Sequence, residues 1–192
     1  MELKKYEFIE LFKVNNIPIR FHWSTSLILF LILITAVSNT QFPISVFAFL
    51  IILISHELGH MWFAHKLNLK SIKIDIYPIG GTCQHEVANT EYENTLIAWG
   101  GVVFQAIIFI PALIFSYFFA DTSPQYIKDI LYYLGTINLI IAVFNLLPIP
   151  PLDGATCWRW IPLYLKYGSI KKPKENISDY QKRFDKDRRR NK

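Results

Sequence analysis

Long apolar stretches alternate with short polar ones along this chain, and their lengths set the first expectation. Four of them, Phe21 to Ser38, Ile44 to Leu67, Thr95 to Ala120 and Tyr126 to Leu147, would as helices cross a hydrocarbon core of about 30 Å. From Phe21 to Ser55 there is no Asp, Glu, Lys or Arg at all. Between the second and third stretches the period changes. Ile72-Lys73-Ile74-Asp75-Ile76-Tyr77 alternates apolar and polar side chains, the pattern of a half-buried strand. Pro78-Ile79-Gly80-Gly81 then supplies turn chemistry, and Thr82 to His85 reads as a returning strand. The expected fold is an all-α polytopic membrane protein of about four transmembrane helices, with a small cytoplasmic-side β-hairpin or re-entrant sheet between helices two and three. Pro111 is expected to kink the third helix.

Composition sharpens this picture only where it is uneven. The net charge of +5 belongs to the tail, because residues 166–192 carry eleven Lys or Arg against four Asp or Glu. A tail of this kind could bind nucleic acid, but no recognition fold accompanies it, and a lipid-facing segment fits the apolar chain upstream. Nucleic acid is therefore not an expected partner, and the bilayer is. The connections Asn39 to Pro43 and Asp121 to Gln125 lack Lys and Arg, whereas the N-terminus, Lys66 to Lys73 and the tail are rich in them. Lys128 is the exception. Both termini are then cytoplasmic in a multi-pass protein of a bacterial cytoplasmic membrane, and the second and fourth spans run inward. The expected segments are a cytoplasmic N-terminal part, residues 1–20, a membrane core, residues 21–165, and a flexible basic tail, residues 166–192. No small-residue cleavage site follows the mixed charges of the N-terminus, so no removable signal peptide is read. No appended substrate-sieving domain is read either. Cys83 and Cys157 stand far apart, without a Cys-x-x-Cys pattern, and are expected to be reduced thiols.

The chemistry lies at the end of the second span, in His56-Glu57-Leu58-Gly59-His60. Two His four residues apart share one helical face and can bind one Zn²⁺, while the Glu beside the first acts on metal-activated water. Polar groups at bilayer depth cost several kcal/mol each unless they are partnered, and a metal is such a partner. A catalytic zinc needs a third protein ligand. In the extended metzincin pattern it would be a His at position 66, which is Lys66 here, so that class is excluded. Asp75, Glu86, Glu91, Glu93, Asp121 and Asp129 lie in hydrophilic stretches and read mostly as solvated charge, with Glu86, Glu91 and Glu93 in reserve as ligands. Asp153 differs, because it follows the proline-broken Asn145-Leu146-Leu147-Pro148-Ile149-Pro150-Pro151-Leu152, which cannot continue as a helix. Non-helical backbone at that depth should line an internal cavity, and a carboxylate there calls for a cation.

With these motifs the sequence resembles the site-2 protease family of intramembrane zinc metalloproteases, nearest its compact bacterial branch of sporulation and stress-signalling proteases. The resemblance is carried by His56-Glu57-Leu58-Gly59-His60 and by Asn145 to Gly154, which is similar to the family's Asn-x-x-Pro-x-Pro-x-Leu-Asp-Gly signature. Ile17 to Ser24 and Tyr77 to Gly81 support it, and about Ile17 to Trp160 is covered. The chain departs from the family at Gly100 to Gln105, where a Gly-Pro and then an Asn are usual, and at Ala155, where a second Gly often follows Asp-Gly.

The resemblance implies one Zn²⁺ held by His56, His60 and Asp153, with Glu57 as general base toward the activated water and then as acid toward the leaving amine. It implies cleavage of a peptide bond within or near the transmembrane segment of a single-span membrane protein, with a regulatory membrane protein as a possible second partner. Asn145 has two readings, a donor to the scissile carbonyl or a cap for the freed carbonyls of its helix end. An extended substrate is expected to pair with the edge around Ile72 to Tyr77. The competing functional class is a non-proteolytic scaffold or zinc carrier that keeps the fold. His22 reads as an interfacial anchor, His65 and His85 as water-facing, and Trp99, Trp158 and Trp160 as interfacial.

Overall fold

A computed structural model describes residues 7–25, 27, 41–78, 80–119 and 121–162. The chain divides into two compact units, Met1–Arg159 and Trp160–Lys192. Of the second only a helical turn at residues 160–162 is described, and all that follows concerns the first.

Among the described residues three helices are long and apolar enough to cross a membrane. They are α1 (Gln41–Lys66), α2 (Glu91–Phe119) and α3 (Gln125–Asn145). The expected span from Phe21 to Ser38 lies largely outside the described residues, so the count among them is three rather than four. α2 runs unbroken through Pro111. α3 contains a π-helical segment, Tyr132–Ile137, which an apolar run does not signal, and the helix resumes its α form at Asn138. Bulky apolar side chains face outward from all three helices, among them Phe47, Ile51, Ile107, Ile114, Ile140 and Val143. In water such a surface would be a liability, whereas against lipid it is the ordinary face of a spanning helix.

The two helices that frame the site approach closely because each has glycine at the crossing. A Cβ on Gly100 would lie 2.6 Å from the Gly59 carbonyl oxygen, and one on Gly59 would be 2.6 Å from the Gly100 carbonyl carbon. Only two hydrogens allow backbone to meet backbone here, as small residues do between membrane helices.

The β structure among the described residues is larger than the one expected hairpin. Four strands, β1 (Phe8–Val14), β2 (Ile17–His22), β3 (Ser71–Tyr77) and β4 (Gly80–His85), form one sheet in the order β1-β2-β3-β4. β1 pairs antiparallel with β2 through a turn at Asn15 and Asn16, whose φ values of 50° and 65° are ones that asparagine tolerates. β2 pairs parallel with β3, and β3 antiparallel with β4. Ile17, Ile19 and Phe21 alternate in β2, but Pro18 weakens that signal, since proline cannot donate to a ladder. Ile19, Phe21, Ile74 and Ile76 join Met61 of α1 in a buried core, with Leu53, Ile54 and Leu58 of α1 packed on it. The sheet is thereby fixed to the helix that carries the His-Glu-x-x-His motif.

Two expectations are corrected by this topology. β3 is internal, so the edge around Ile72 to Tyr77 is already paired on both sides, and the free edges among the described strands are β1 and β4. Asp75 is not a solvated charge, for it is buried in β3. It accepts hydrogen bonds from Arg20 Nε at 2.7 Å and from a terminal guanidinium nitrogen at 2.8 Å, with Lys73 Nζ at 3.1 Å. Burial without those cations would cost several kcal/mol.

Candidate metal centre

Helical spacing puts His56, Glu57 and His60 of α1 on the buried side of the helix, with relative exposures of 7%, 4% and 8%. The third residue arrives from the far end of α3. After Asn145 the chain leaves helical geometry through Leu147 to Leu152, with a cis peptide between Pro150 and Pro151, and restarts as a short helix, α4 (Gly154–Cys157). Two tryptophans brace this segment, which goes beyond their interfacial reading. Trp158 Nε1 donates to the Leu146 carbonyl at 2.6 Å, and Trp99 Nε1 of α2 donates to the Cys157 carbonyl at 3.1 Å. Asp153 is thereby carried to α1.

His56 Nε2 and His60 Nε2 are 3.0 Å apart, and Asp153 Oδ2 lies 2.9 Å from the first and 3.2 Å from the second. Ligands held at about 2.0–2.1 Å from a tetrahedral zinc stand roughly 3.3 Å from one another. The donor set, two imidazole nitrogens and one carboxylate oxygen, and its spacing therefore fit a divalent cation with one position left open. Burial works against the Asp153 charge, but the His56 and His60 rings beside it outweigh that and hold the carboxyl well below the usual range. The carboxylate is thus charged at neutral pH. Among the described residues these three are the group of His, Cys, Asp and Glu whose ligand atoms come within 4.8 Å of one another.

Each histidine is held from behind by α2. His60 Nδ1 donates to the Ile97 carbonyl at 2.7 Å, and His56 Nδ1 meets Gln105 Oε1 at 2.9 Å. Gln105 Nε2 in turn donates to Asn138 Oδ1 of α3 at 3.0 Å, and Asn138 Nδ2 donates back to the Gln105 backbone carbonyl at 3.3 Å. Gln105 and Asn138 are both fully buried. Sequence reasoning gave neither residue a role. The available signal was a carboxamide inside an apolar span, which is costly unless it has a partner.

The three ligand atoms and Glu57 line a cavity of about 850 Å³, whose wall also includes Asn145, Phe144 and Gly80 to Cys83 of β4. β4 crosses close over Glu57, and a Cβ on Gly81 would lie 2.6 Å from Glu57 Cγ. Burial, with the Glu57 charge nearby, pushes the Cys83 thiol up to about 12. Its sulfur is not among the ligand atoms that converge with those of His56, His60 and Asp153.

Asn145 is half-buried on the cavity wall. Its side chain makes no hydrogen bond among the described residues, and the Leu146 carbonyl is capped by Trp158 instead. Glu86 accepts the Lys70 backbone N–H at 3.0 Å, while Glu93 accepts that of Asn89 at 2.8 Å and caps the start of α2 together with Thr90. Neither joins the ligand group, nor does Glu91 in the first turn of the same helix. His22 bonds Ser24 Oγ at 2.6 Å and packs on Phe8 and Tyr77. His65 is exposed, and His85 Nδ1 donates to the Glu86 carbonyl at 2.7 Å.

Comparison with known proteins shows the family. The model of peptidase family M50 matches residues 44–121 and 107–179, which take in both halves of the ligand set. The chain belongs to peptidase family M50, the site-2 protease family. Its fold is similar to that of the solved site-2 protease from Methanocaldococcus jannaschii, with a TM-score of 0.64 and 34% identity over 85% of this chain and 75% of that one. A zinc metalloprotease of the same organism is 38% identical over 170 residues, covering 86% of this chain and 48% of that protein. A candidate zinc metalloprotease of Synechocystis is 30% identical over 109 residues, covering 56% of this chain and 28% of that protein. The chain thus spans about half the length, or less, of these two relatives. Family membership and the three apolar helices together mark a membrane protein.

Proposed function

We propose that this chain is an intramembrane zinc endopeptidase that cuts a peptide bond within or beside the transmembrane segment of a single-span membrane protein. One observation carries the reading: two imidazole nitrogens and a charged carboxylate oxygen converge within 3.2 Å in a cavity that also holds a buried Glu beside them. His56, His60 and Asp153 would hold the metal. Zinc, when bound, is a Lewis acid that lowers the pKa of water it carries to about 7.

Glu57, beside the ligands without being one, takes the proton of the attacking water as the oxygen–carbon bond forms. It passes that proton to the amine nitrogen as the carbon–nitrogen bond breaks. Asn145, with an uncommitted carboxamide on the cavity wall, donates to the scissile carbonyl oxygen as charge develops there. A helical substrate must unwind first, because its carbonyls are hydrogen-bonded. The free edge of β4, from Gly80 to His85, offers an extended segment its ladder partners directly above Glu57. The core runs from residue 21 to 165, and the basic tail, residues 166–192, rests on anionic lipid. Both termini face the cytoplasm of a bacterial cell, and a separate membrane protein gates the substrate.

The test is cleavage of a panel of single-span membrane proteins by detergent-purified wild type, Glu57→Gln and Asp153→Ala, with zinc content measured alongside. Wild type should hold one zinc and cut, Glu57→Gln should hold zinc without cutting, and Asp153→Ala should lose both. Zinc in wild type with no cleavage across the panel would reject the protease in favour of a scaffold or zinc carrier.

A further inference from the structure

His56 binds a metal through Nε2 only if its proton sits on Nδ1, and an imidazole has no preference of its own strong enough to ensure this. For His60 the matter is settled locally, because Nδ1 faces the Ile97 carbonyl at 2.7 Å and a carbonyl can only accept. His56 faces a carboxamide instead, which could turn either end toward the ring. The next links remove that freedom.

The Gln105 backbone carbonyl, 3.3 Å from Asn138, is an acceptor and requires the Asn138 NH₂. Asn138 must then turn its oxygen to Gln105, 3.0 Å away, which requires the Gln105 NH₂ there. The Gln105 oxygen is left facing His56 Nδ1 at 2.9 Å, and this nitrogen must carry the proton. Every group in the chain is buried, with Gln105 and Asn138 at 0% exposure, so no water can reverse the polarity at low cost.

We propose that Gln105 and Asn138 form a carboxamide relay that transmits the polarity of one backbone carbonyl to His56, fixing it as an Nε2 metal donor. Both are positioning residues, acting through His56 without touching substrate or metal. Gln105 of α2 reaches the His56 ring, and Asn138 of α3 orients it. The proposal rests on the zinc reading above.

A purely structural role, two amides stapling α2 to α3, would make the same contacts but predict different consequences. Zinc affinity is measured by competition with a chromophoric chelator on the full chain in detergent, and metal-free melting is recorded in parallel. Gln105→Met keeps length and volume but removes the acceptor, and affinity should fall about 10- to 100-fold, the usual range for such partners of a ligating histidine. Gln105→Glu presents a carboxyl oxygen to His56 in either protonation state and should remain within about threefold of wild type. If Gln105→Met binds zinc as wild type does, or Gln105→Glu loses as much as Gln105→Met, the relay is wrong. Should Gln105→Met fail to fold, ¹⁵N NMR of histidine-labelled wild type decides the matter. A zinc-loaded His56 protonated at Nδ1 supports the relay, and metal bound at Nδ1 overturns it. Wild type that holds no zinc would instead remove the metalloprotease reading itself, and the relay with it.

Discussion

Gly100→Ala is the sharpest small perturbation of the frame that carries the site. The added Cβ would sit 2.6 Å from the Gly59 carbonyl oxygen and 2.8 Å from its carbon, where ordinary contact begins at 3.4 Å. Those atoms are backbone, so no rotamer change relieves the overlap, and α1 and α2 must part by about 0.8 Å. The two bonds that hold the histidines from behind, at 2.7 and 2.9 Å, cross the same interface. Stretched by that amount, they reach the limit of hydrogen bonding. Overpacking costs about 1–3 kcal/mol, and each weakened bond adds about 1 kcal/mol. Two such bonds correspond to roughly 30-fold in zinc affinity, at about 1.4 kcal/mol per factor of ten. The assay is thermal melting and zinc competition in detergent, with Gly80→Ala as the control because a Cβ there meets nothing within 4 Å. If Gly100→Ala melts and binds like Gly80→Ala, the close helix crossing does not support the site, and the reasoning fails.

Gly81→Ala would press on Glu57 Cγ, 2.6 Å away, and so should leave zinc content intact while lowering turnover on a cleavable substrate by about 100-fold or more. Equal loss of zinc and turnover would mean β4 supports the ligands instead. A Cys83 thiol raised to about 12 is protonated across neutral pH, and alkylation needs the thiolate. At pH 8 its modification should be roughly a thousandfold slower than that of a free cysteine with a pKa near 8.5, and still rising at pH 10. Modification at the free rate would put β4 elsewhere. Arg20→Met leaves the buried Asp75 with Lys73 alone and should lower stability by about 2–3 kcal/mol in a denaturant melt. A change below about 0.5 kcal/mol would mean the pair does not hold β2 to β3.

The parts of this molecule legible in the sequence are those with a strong local period or a strict spacing. The apolar runs of α1, α2 and α3 are long enough to be read directly, and the alternation of Ile72 to Tyr77 marks β3. The β1–β2 hairpin escaped because its outer strand is almost wholly exposed and its inner one contains Pro18, so neither offers a clean alternation. Its pairing with β3 joins residues some fifty positions apart, which no window sees. Asp75 reads as solvated for the same reason, since Arg20 comes from that distant strand. The His-Glu-x-x-His spacing brings His56, Glu57 and His60 to one helix face. Asp153 can be singled out because prolines break the chain before it, although only the fold brings it within 3.2 Å of both histidines. Gln105 and Asn138 are visible as polar residues in apolar helices, but their connection to His56 exists only in three dimensions.

The central claim is that His56, His60 and Asp153 together hold zinc, and the zinc K-edge absorption fine structure of the purified protein tests it directly. The account predicts two imidazole nitrogens and a carboxylate oxygen, all at about 2.0–2.2 Å, with histidine outer-shell scattering and no sulfur. A sulfur at about 2.3 Å would bring Cys83 or Cys157 into the site and contradict it, as would a single histidine in the coordination shell.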